Sequence, residues 1–308
     1  VIKAMEPVLE NSDIAVVLVS HDFDWVPGYF EHFSLVDCNL VRQGGGKGRK
    51  IPQKRDNGVS PKVVEQEKQD ISFEKPFFKL DIKRPVRISQ SFSLLPSKEL
   101  ALFPRQRIGI IGESGSGKSS LLRIAAGLQY IKEEDGEALV RPSGSGLVNI
   151  QTLCGRIRAG LIQIVFQDTT GAVFGNRRLI DSFRDASRIR RTSFENVREI
   201  FGPLARKMGL ISKEEKLSSI LNRRLQEFSI GQRRRIGLLN AMLHLDIYCK
   251  DPSKTPKLLI LDELSRGLDA ETKAEVMDVI KEFCRLYNVA IIAISHDLEF
   301  LLGLCNSF

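Results

Sequence analysis

Two kinds of apolar pattern alternate along the chain. QRIGIIG (106–112), LIQIVF (161–166), KLLILDEL (257–264) and VAIIAIS (289–295) are short, nearly unbroken apolar runs, the signature of strands buried on both faces. Between them, SSLLRIAAGL (119–128) and DAETKAEVMDVIKEFCRLY (269–287) carry helical spacing, and residues 176–226, poor in strand formers, read as mainly helical. A polar, Gly-containing stretch separates the first helix from the strand at 161. Ahead of all these, PFFKLDIKR (76–84), VRISQSFSLL (86–95) and ELALF (99–103) are short strand-like pieces. Strands alternating with helices predict an α/β domain whose mostly parallel sheet is covered on both faces.

The N-terminal part reads differently. Residues 1–41 give a short helix, a buried strand (IAVVLVS, 14–20), a loop and further helical and strand-like pieces, too little to fold alone. The segment 42–62 carries seven Lys or Arg against one Asp, with Gly and Pro throughout, and the stretch 42–70 is expected to be a flexible basic linker. A long repeat joins the two ends: VIKAMEPVLENSDIAVVLVSHD (1–22) parallels DVIKEFCRLYNVAIIAISHD (278–297), with Ser-His-Asp closing both.

Composition narrows the class. With 42% hydrophobic and 27% charged residues in 308, the chain is long enough for a full core and ordinary for a globular protein. Its longest apolar runs, IAVVLV (14–19) and VAIIAI (289–294), fall short of the roughly 18 residues needed to span a bilayer. The five cysteines (Cys38, Cys154, Cys249, Cys284, Cys305) form no CxxC pair, which argues against a zinc site or a disulfide framework and fits a reducing cytosolic compartment. The net charge of +8 fits an acidic partner such as nucleic acid, a phosphate ligand or an anionic membrane surface, although much of it lies in the linker.

GESGSGKSS (112–120) fits G-x-x-x-x-G-K-[S/T] between a strand and a helix. Such a loop wraps main-chain N–H groups around phosphate oxygens, and the following helix aims its positive end at the same anion. The candidate phosphate-binding residues are Gly112, Ser114, Gly115, Ser116, Gly117, Lys118, Ser119 and Ser120. Lys118 would reach the β and γ phosphates and the Ser119 hydroxyl would ligate Mg²⁺. The strand LLILDE (258–263) ends in two acids: Asp262 is placed to hold the Mg²⁺ shell and Glu263 to orient or deprotonate water.

With VFQD (165–168), FSIGQRRR (228–235), LSRGLD (264–269) and the Ser-His-Asp after the last strand, these pieces resemble, in order, the motifs of the ATP-binding cassette (ABC) ATPases over about residues 76–308. The resemblance implies an α/β fold: a P-loop NTPase core with a mainly parallel sheet, an antiparallel β subdomain and a helical subdomain. It also implies ATP and Mg²⁺ as ligands, Gln167 as the Q-loop residue sensing the γ-phosphate through Mg²⁺ or water, and His296 as the switch histidine on that phosphate. Ser229, Gly231 and Gln232 match the family's signature, which contacts nucleotide held by an opposing domain, and Asp269 ends the D-loop. Ile230 stands where the family has the signature's first glycine: either the loop tolerates it or the signature serves a weakened site. Arg233, Arg234 and Arg235 read as a solvated helix face rather than a nucleic-acid contact. Phe77, Phe78 and Phe92 are all candidates for stacking on adenine.

The expected organisation is therefore a remnant of a first cassette at 1–41, with His21 as its switch histidine, the linker 42–70, and a second cassette at 71–308, clipped at its C-terminus. Such a piece should bind ATP better than it hydrolyses it, because the family's site is completed by a second ABC domain, in the same full-length chain or a homodimer mate. The implied function is ATP hydrolysis energising a membrane transporter whose membrane subunits are separate chains, with the protein peripheral on the inner face of the cell membrane. FQDTTGAVFGNRR (166–178) resembles importers of the peptide type. The alternative is a soluble ABC ATPase acting on nucleic acid, the ribosome or another enzyme; LSRGLD is unlike the D-loop region of the translation factors, and nucleic acid is not favoured. A non-hydrolysing domain is a third reading, motivated by Ile230.

Overall fold

The computed structural model describes residues 18–19, 33–36, 39–42, 75–88, 93–94, 99–112, 115–142, 146–166, 177–211, 216–248 and 254–306. In chain order the strands are β1 (Leu18–Val19), β2 (Phe33–Val36), β3 (Asn39–Arg42), β4 (Phe78–Ile82), β5 (Val86–Arg87), β6 (Ser93–Leu94), β7 (Leu100–Leu102), β8 (Arg107–Gly112), β9 (Gly136–Val140), β10 (Val148–Asn149), β11 (Ile162–Val165), β12 (Lys257–Asp262) and β13 (Val289–Ile294). The α-helices are α1 (Lys118–Ala125), α2 (Gly155–Leu161), α3 (Leu179–Arg190), α4 (Phe194–Lys207), α5 (Leu217–Asn222), α6 (Ile230–His244), α7 (Ala270–Tyr287) and α8 (Leu298–Leu304).

A five-stranded sheet in the order β1-β8-β13-β12-β11 forms the centre, and every pairing in it is parallel. Leu18 and Val19, in the N-terminal copy of the repeat, pair with Ile111 and Gly112, so the two copies flank β8 on opposite edges. A second sheet, β10-β9-β4-β7, is antiparallel.

Side chains alternate across a strand with period two, so a strand without polar positions must be covered twice. β12 and β13 do this: Leu259, Leu261, Val289, Ile291 and Ala293 face a core made with α3–α8. Their neighbours Leu258, Ile260, Ala290, Ile292 and Ile294 face a separate core with α1 and the antiparallel sheet. Phe183 and Phe201 anchor the helical side with ring centroids 4.3 Å apart. Lys257 is fully buried at the start of β12, its ammonium donating to the carbonyls of Thr255 and Tyr287.

The expected fold class is observed. Three elements named above, β9, β10 and α2, were not anticipated in the polar stretch before β11. β9 (GEALV) alternates in burial and pairs with β4, a pattern too short to stand out before pairing is known. α2 (GRIRAGL) ends at Leu161, so the strand expected over 161–166 begins at Ile162. Its two glycines mask a helix that packs on β11 and β12. The expected boundary at 41 falls within β3 (Asn39–Arg42), whereas the boundary at 70 and His21 lie outside the described residues.

Because Ile292 is fully buried and Ile157 is 46% exposed, their truncations should diverge. Ile292→Ala is expected to cost about 2–5 kcal/mol in denaturant unfolding, and Ile157→Ala about 0.5 kcal/mol or less. Equal costs would contradict the two-faced burial of the sheet.

Candidate functional site

The parallel register brings the ends of three strands to one edge. Ile110 pairs with Ile294, and Ile294 with Asp262. Immediately beyond these residues come the glycine loop, Glu263 and His296. Together they line a cleft of about 680 Å³.

The loop leaves β8 at Gly112 and enters α1 at Lys118. Gly115 (φ 85°) and Gly117 (φ 91°) both hold the left-handed region, where a Cβ would be strained. Gly117 caps α1 with no side-chain hydrogen bond, and the first turn holds no acid. Its N–H groups and positive helix end therefore have no built-in anion. Lys118 folds back, its ammonium donating to the Gly112 carbonyl at 2.7 Å and lying 3.4 Å from Ser116 Oγ.

Asp262 is only 6% exposed. Burial pushes its pKa above the ordinary value of 3.8, opposed by a hydrogen bond from Ser119 and by the charges of Arg123 and Lys118. Glu263 is 7% exposed and has φ 55°, a left-handed backbone that costs a non-glycine residue roughly 1–2 kcal/mol. Its N–H donates to the Ile294 carbonyl at 2.9 Å, continuing the sheet pairing, and its Oε2 accepts from the His296 N–H at 3.4 Å. Nε2 of His296 lies 3.4 Å from Glu263 Oε1, outside hydrogen-bond geometry, so this buried oxygen has no hydrogen-bond partner among the described residues. A buried carboxylate oxygen without a hydrogen bond is costly, and here it belongs to a residue that lines the cleft.

The loop bearing His296 is gripped by the segment that follows Glu263. Ser295 Oγ lies 2.7 Å from Ser265 Oγ and accepts from the Asp297 N–H at 3.0 Å. The Asp297 carboxylate caps α8 through the Phe300 N–H and is ion-paired with Lys273 of α7. Asp269 caps α7, and hydrogen bonds from Thr272 hold its pKa below the usual carboxylate value.

Among the sequence candidates, Gly115, Gly117, Lys118, Ser119, Ser120, Asp262, Glu263 and His296 line the cleft. Gly112 and Ser116 meet it through Lys118. Ser114 and Gln167 lie outside the described residues. Ser229, Gly231 and Gln232 are not in the cleft lining. Ser229 and Gln232 instead form a reciprocal cap at the start of α6, and a Cβ on Gly231 would lie 3.6 Å from the Gly267 carbonyl, against the back of the 265–268 turn. Ile230 is 63% exposed beside them.

Two expectations are corrected. The arginine run is not a solvated face: Arg233 donates to the carbonyls of Phe228 and Gln226, and Arg235 to those of Met208 and Gly231, bracing α6 against its neighbours. Phe77 and Phe78 are buried in the core of the antiparallel sheet, which removes both as stacking partners for a ligand; Phe92 lies outside the described residues. Sequence reasoning did not single out Ser265, Arg266, Lys273 or Asp297, all of which line the cleft. Ser265 and Arg266 lie within LSRGLD and Asp297 within Ser-His-Asp, which was the signal for them; Lys273 had only its closeness to LSRGLD.

A parallel sheet with a glycine loop at a helix start and two acids on the neighbouring strand defines a P-loop nucleotide-binding fold. The family model described as ABC transporter matches residues 96–266, more than half of the chain. The chain belongs to that family. It is similar to the oligopeptide transport ATP-binding protein OppD of Haemophilus influenzae, 32% identical over 211 residues, 65% of this chain and 58% of that protein. It is also similar to the nickel import ATP-binding protein NikE of Escherichia coli, 28% identical over 217 residues, 70% of this chain and 74% of that protein. With the oligopeptide relatives the match spans only 54–58% of their length. Among solved structures, cbiO1 of Clostridium perfringens, described as part of the ABC transporter complex cbiONQ, superposes with a TM-score of 0.57 at 20% identity, over 76% of this chain and 84% of that one. At that identity the likeness shows the fold.

The raised pKa of Asp262 has a stability consequence. The folded state favours the protonated acid, so this group's contribution is most favourable below the ordinary value of 3.8 and is lost as pH rises through the folded pKa. Asp262→Asn is expected to melt higher than the native protein at pH 7 without nucleotide or metal, with the gap shrinking towards pH 4. A lower melting temperature at pH 7 would contradict a burial-dominated carboxylate.

Proposed function

We propose that the protein binds ATP with Mg²⁺ and hydrolyses it, as the motor of a membrane transporter whose membrane subunits are separate chains. The observation that carries this reading is the single cleft in which the helix-start loop, Lys118, the paired acids and His296 converge. The loop amides and the start of α1 would hold phosphate oxygens, and Lys118 would add a positive charge beside them. The Ser119 hydroxyl and the Asp262 carboxylate meet each other in a hydrogen bond, a pair of hard oxygen donors that suits Mg²⁺. Gln167 would complete that set. When bound, Mg²⁺ supplies charge neutralisation across the phosphates.

Glu263 is the base: it lines the cleft and its Oε1 has no hydrogen bond among the described residues, and there it would orient a water and take its proton as the water oxygen bonds to the terminal phosphorus. The bond to the bridging oxygen breaks, and ADP and phosphate leave. His296, held through Ser295 and Asp297, reaches the terminal phosphate from the neighbouring strand end. Ser229, Gly231 and Gln232, away from this cleft, serve nucleotide held by a second ABC domain, and Ile230 on the same exposed edge tunes that contact.

The oligopeptide and nickel relatives support a transport role, with the protein peripheral on the inner face of the cell membrane. The repeat joining residues 1–22 to 278–297 supports a preceding cassette, of which 1–41 is the end, followed by the linker 42–70. Glu263→Gln is expected to keep MgATP binding and to lower phosphate release at saturating MgATP by about 10²–10⁴-fold, whereas Lys118→Ala loses binding itself. Wild-type turnover in Glu263→Gln would overturn the assignment.

A further inference from the structure

Three cations and three carboxylates line the cleft: Lys118, Arg266 and Lys273 against Asp262, Glu263 and Asp297. Most already have a role in the empty site. Lys118 is turned onto the Gly112 carbonyl, Lys273 is paired with Asp297, and Asp262 accepts from Ser119. Arg266 differs. It is exposed, and among the described residues its guanidinium makes no hydrogen bond or ion pair.

The backbone fixes this posture. Glu263 (φ 55°) and Gly267 (φ 77°) are both left-handed, and the turn between them is closed by the Arg266 N–H on the Glu263 carbonyl (3.4 Å) and the Leu268 N–H on the Ser265 carbonyl (3.2 Å). A left-handed glutamate is strain that a flexible loop would relax, and here the surrounding pairing holds it. The same turn that presents Glu263 to the cleft therefore holds Arg266 at its rim. Behind the turn, α6 lies close: a Cβ on Gly231 would stand 3.6 Å from the Gly267 carbonyl.

We infer that Arg266 is a binding residue for the terminal phosphate of a bound nucleoside triphosphate, and that it adds to the means by which this cleft distinguishes a triphosphate from a diphosphate. The inference rests on the cleft being the nucleotide site. A magnesium-bound triphosphate keeps about two negative charges, of which Lys118 answers one. The planar guanidinium, with its fork of donors, matches two oxygens of one phosphate. It lines the same cleft as the glycine loop, Lys118, Glu263 and His296.

Calorimetric titration of the 308-residue chain with the magnesium complexes of ADP and of a non-hydrolysable ATP analogue tests this. Arg266→Gln is expected to weaken the analogue by about tenfold or more and to leave ADP within about twofold. Arg266→Lys is expected to fall between, and the nucleotide-free melting temperature to stay unchanged. An unchanged affinity for the analogue, or equal weakening of both nucleotides, overturns the inference. Lys118→Ala is the separate control: if it binds both nucleotides as the native chain does, the nucleotide site itself lies elsewhere and both readings fall.

Discussion

Parallel pairing of β8, β12 and β13 is the constraint on which the molecule depends. Parallel strands end on the same edge, and the register Ile110–Ile294–Asp262 sets three ends level. The residues just past them, a glycine loop, an acid and a histidine, are far apart in sequence and become neighbours because their strands are, with the Ser119–Asp262 and His296–Glu263 hydrogen bonds adding to that pairing. Such a sheet must bury both faces. The two cores on either side of β12 and β13 supply that burial, and Leu258, Leu259, Ile260 and Leu261 are all fully buried.

The stability stored in these cores offsets what the edge costs. Asp262 and Glu263 are carboxylates removed from water, one with its pKa raised and one with an orphaned oxygen and a left-handed backbone. None of these features favours the empty protein. Strain of this kind, held in place by the surrounding structure, is the usual mark of a functional site. The hydrogen bonds of Ser265, Ser295, Asp297 and Lys273 stiffen the two loops that carry Glu263 and His296, so the acid and the histidine are held ready at fixed separation.

Much of this was readable from the amino-acid order because it lies in local pattern. The glycine loop needs residues without a Cβ at fixed spacing, and β12 and β13 need unbroken apolar runs, so both announce themselves. β9 and α2 did not, because each becomes regular only through a partner strand or a packed face elsewhere in the chain. Arg233 and Arg235 looked solvated because a run of arginines on a helix carries no sign of the carbonyls it will cap; those belong to residues as distant as Met208. Phe77 and Phe78 show the reverse failure: an aromatic before the loop fits a stacking role until the sheet around it is seen to be closed. Lys273 has no signature of its own, and only the shape of the cleft brings it into the site.

The central claim is that the main chain between β8 and α1 is an anion cradle, and amide hydrogen exchange of residues 115–119 with and without MgATP reads it directly. Strong slowing of these amides on nucleotide addition, with the antiparallel sheet unchanged, is the predicted result. Exchange at 115–119 that stays the same at saturating MgATP would contradict the cradle and everything built on it.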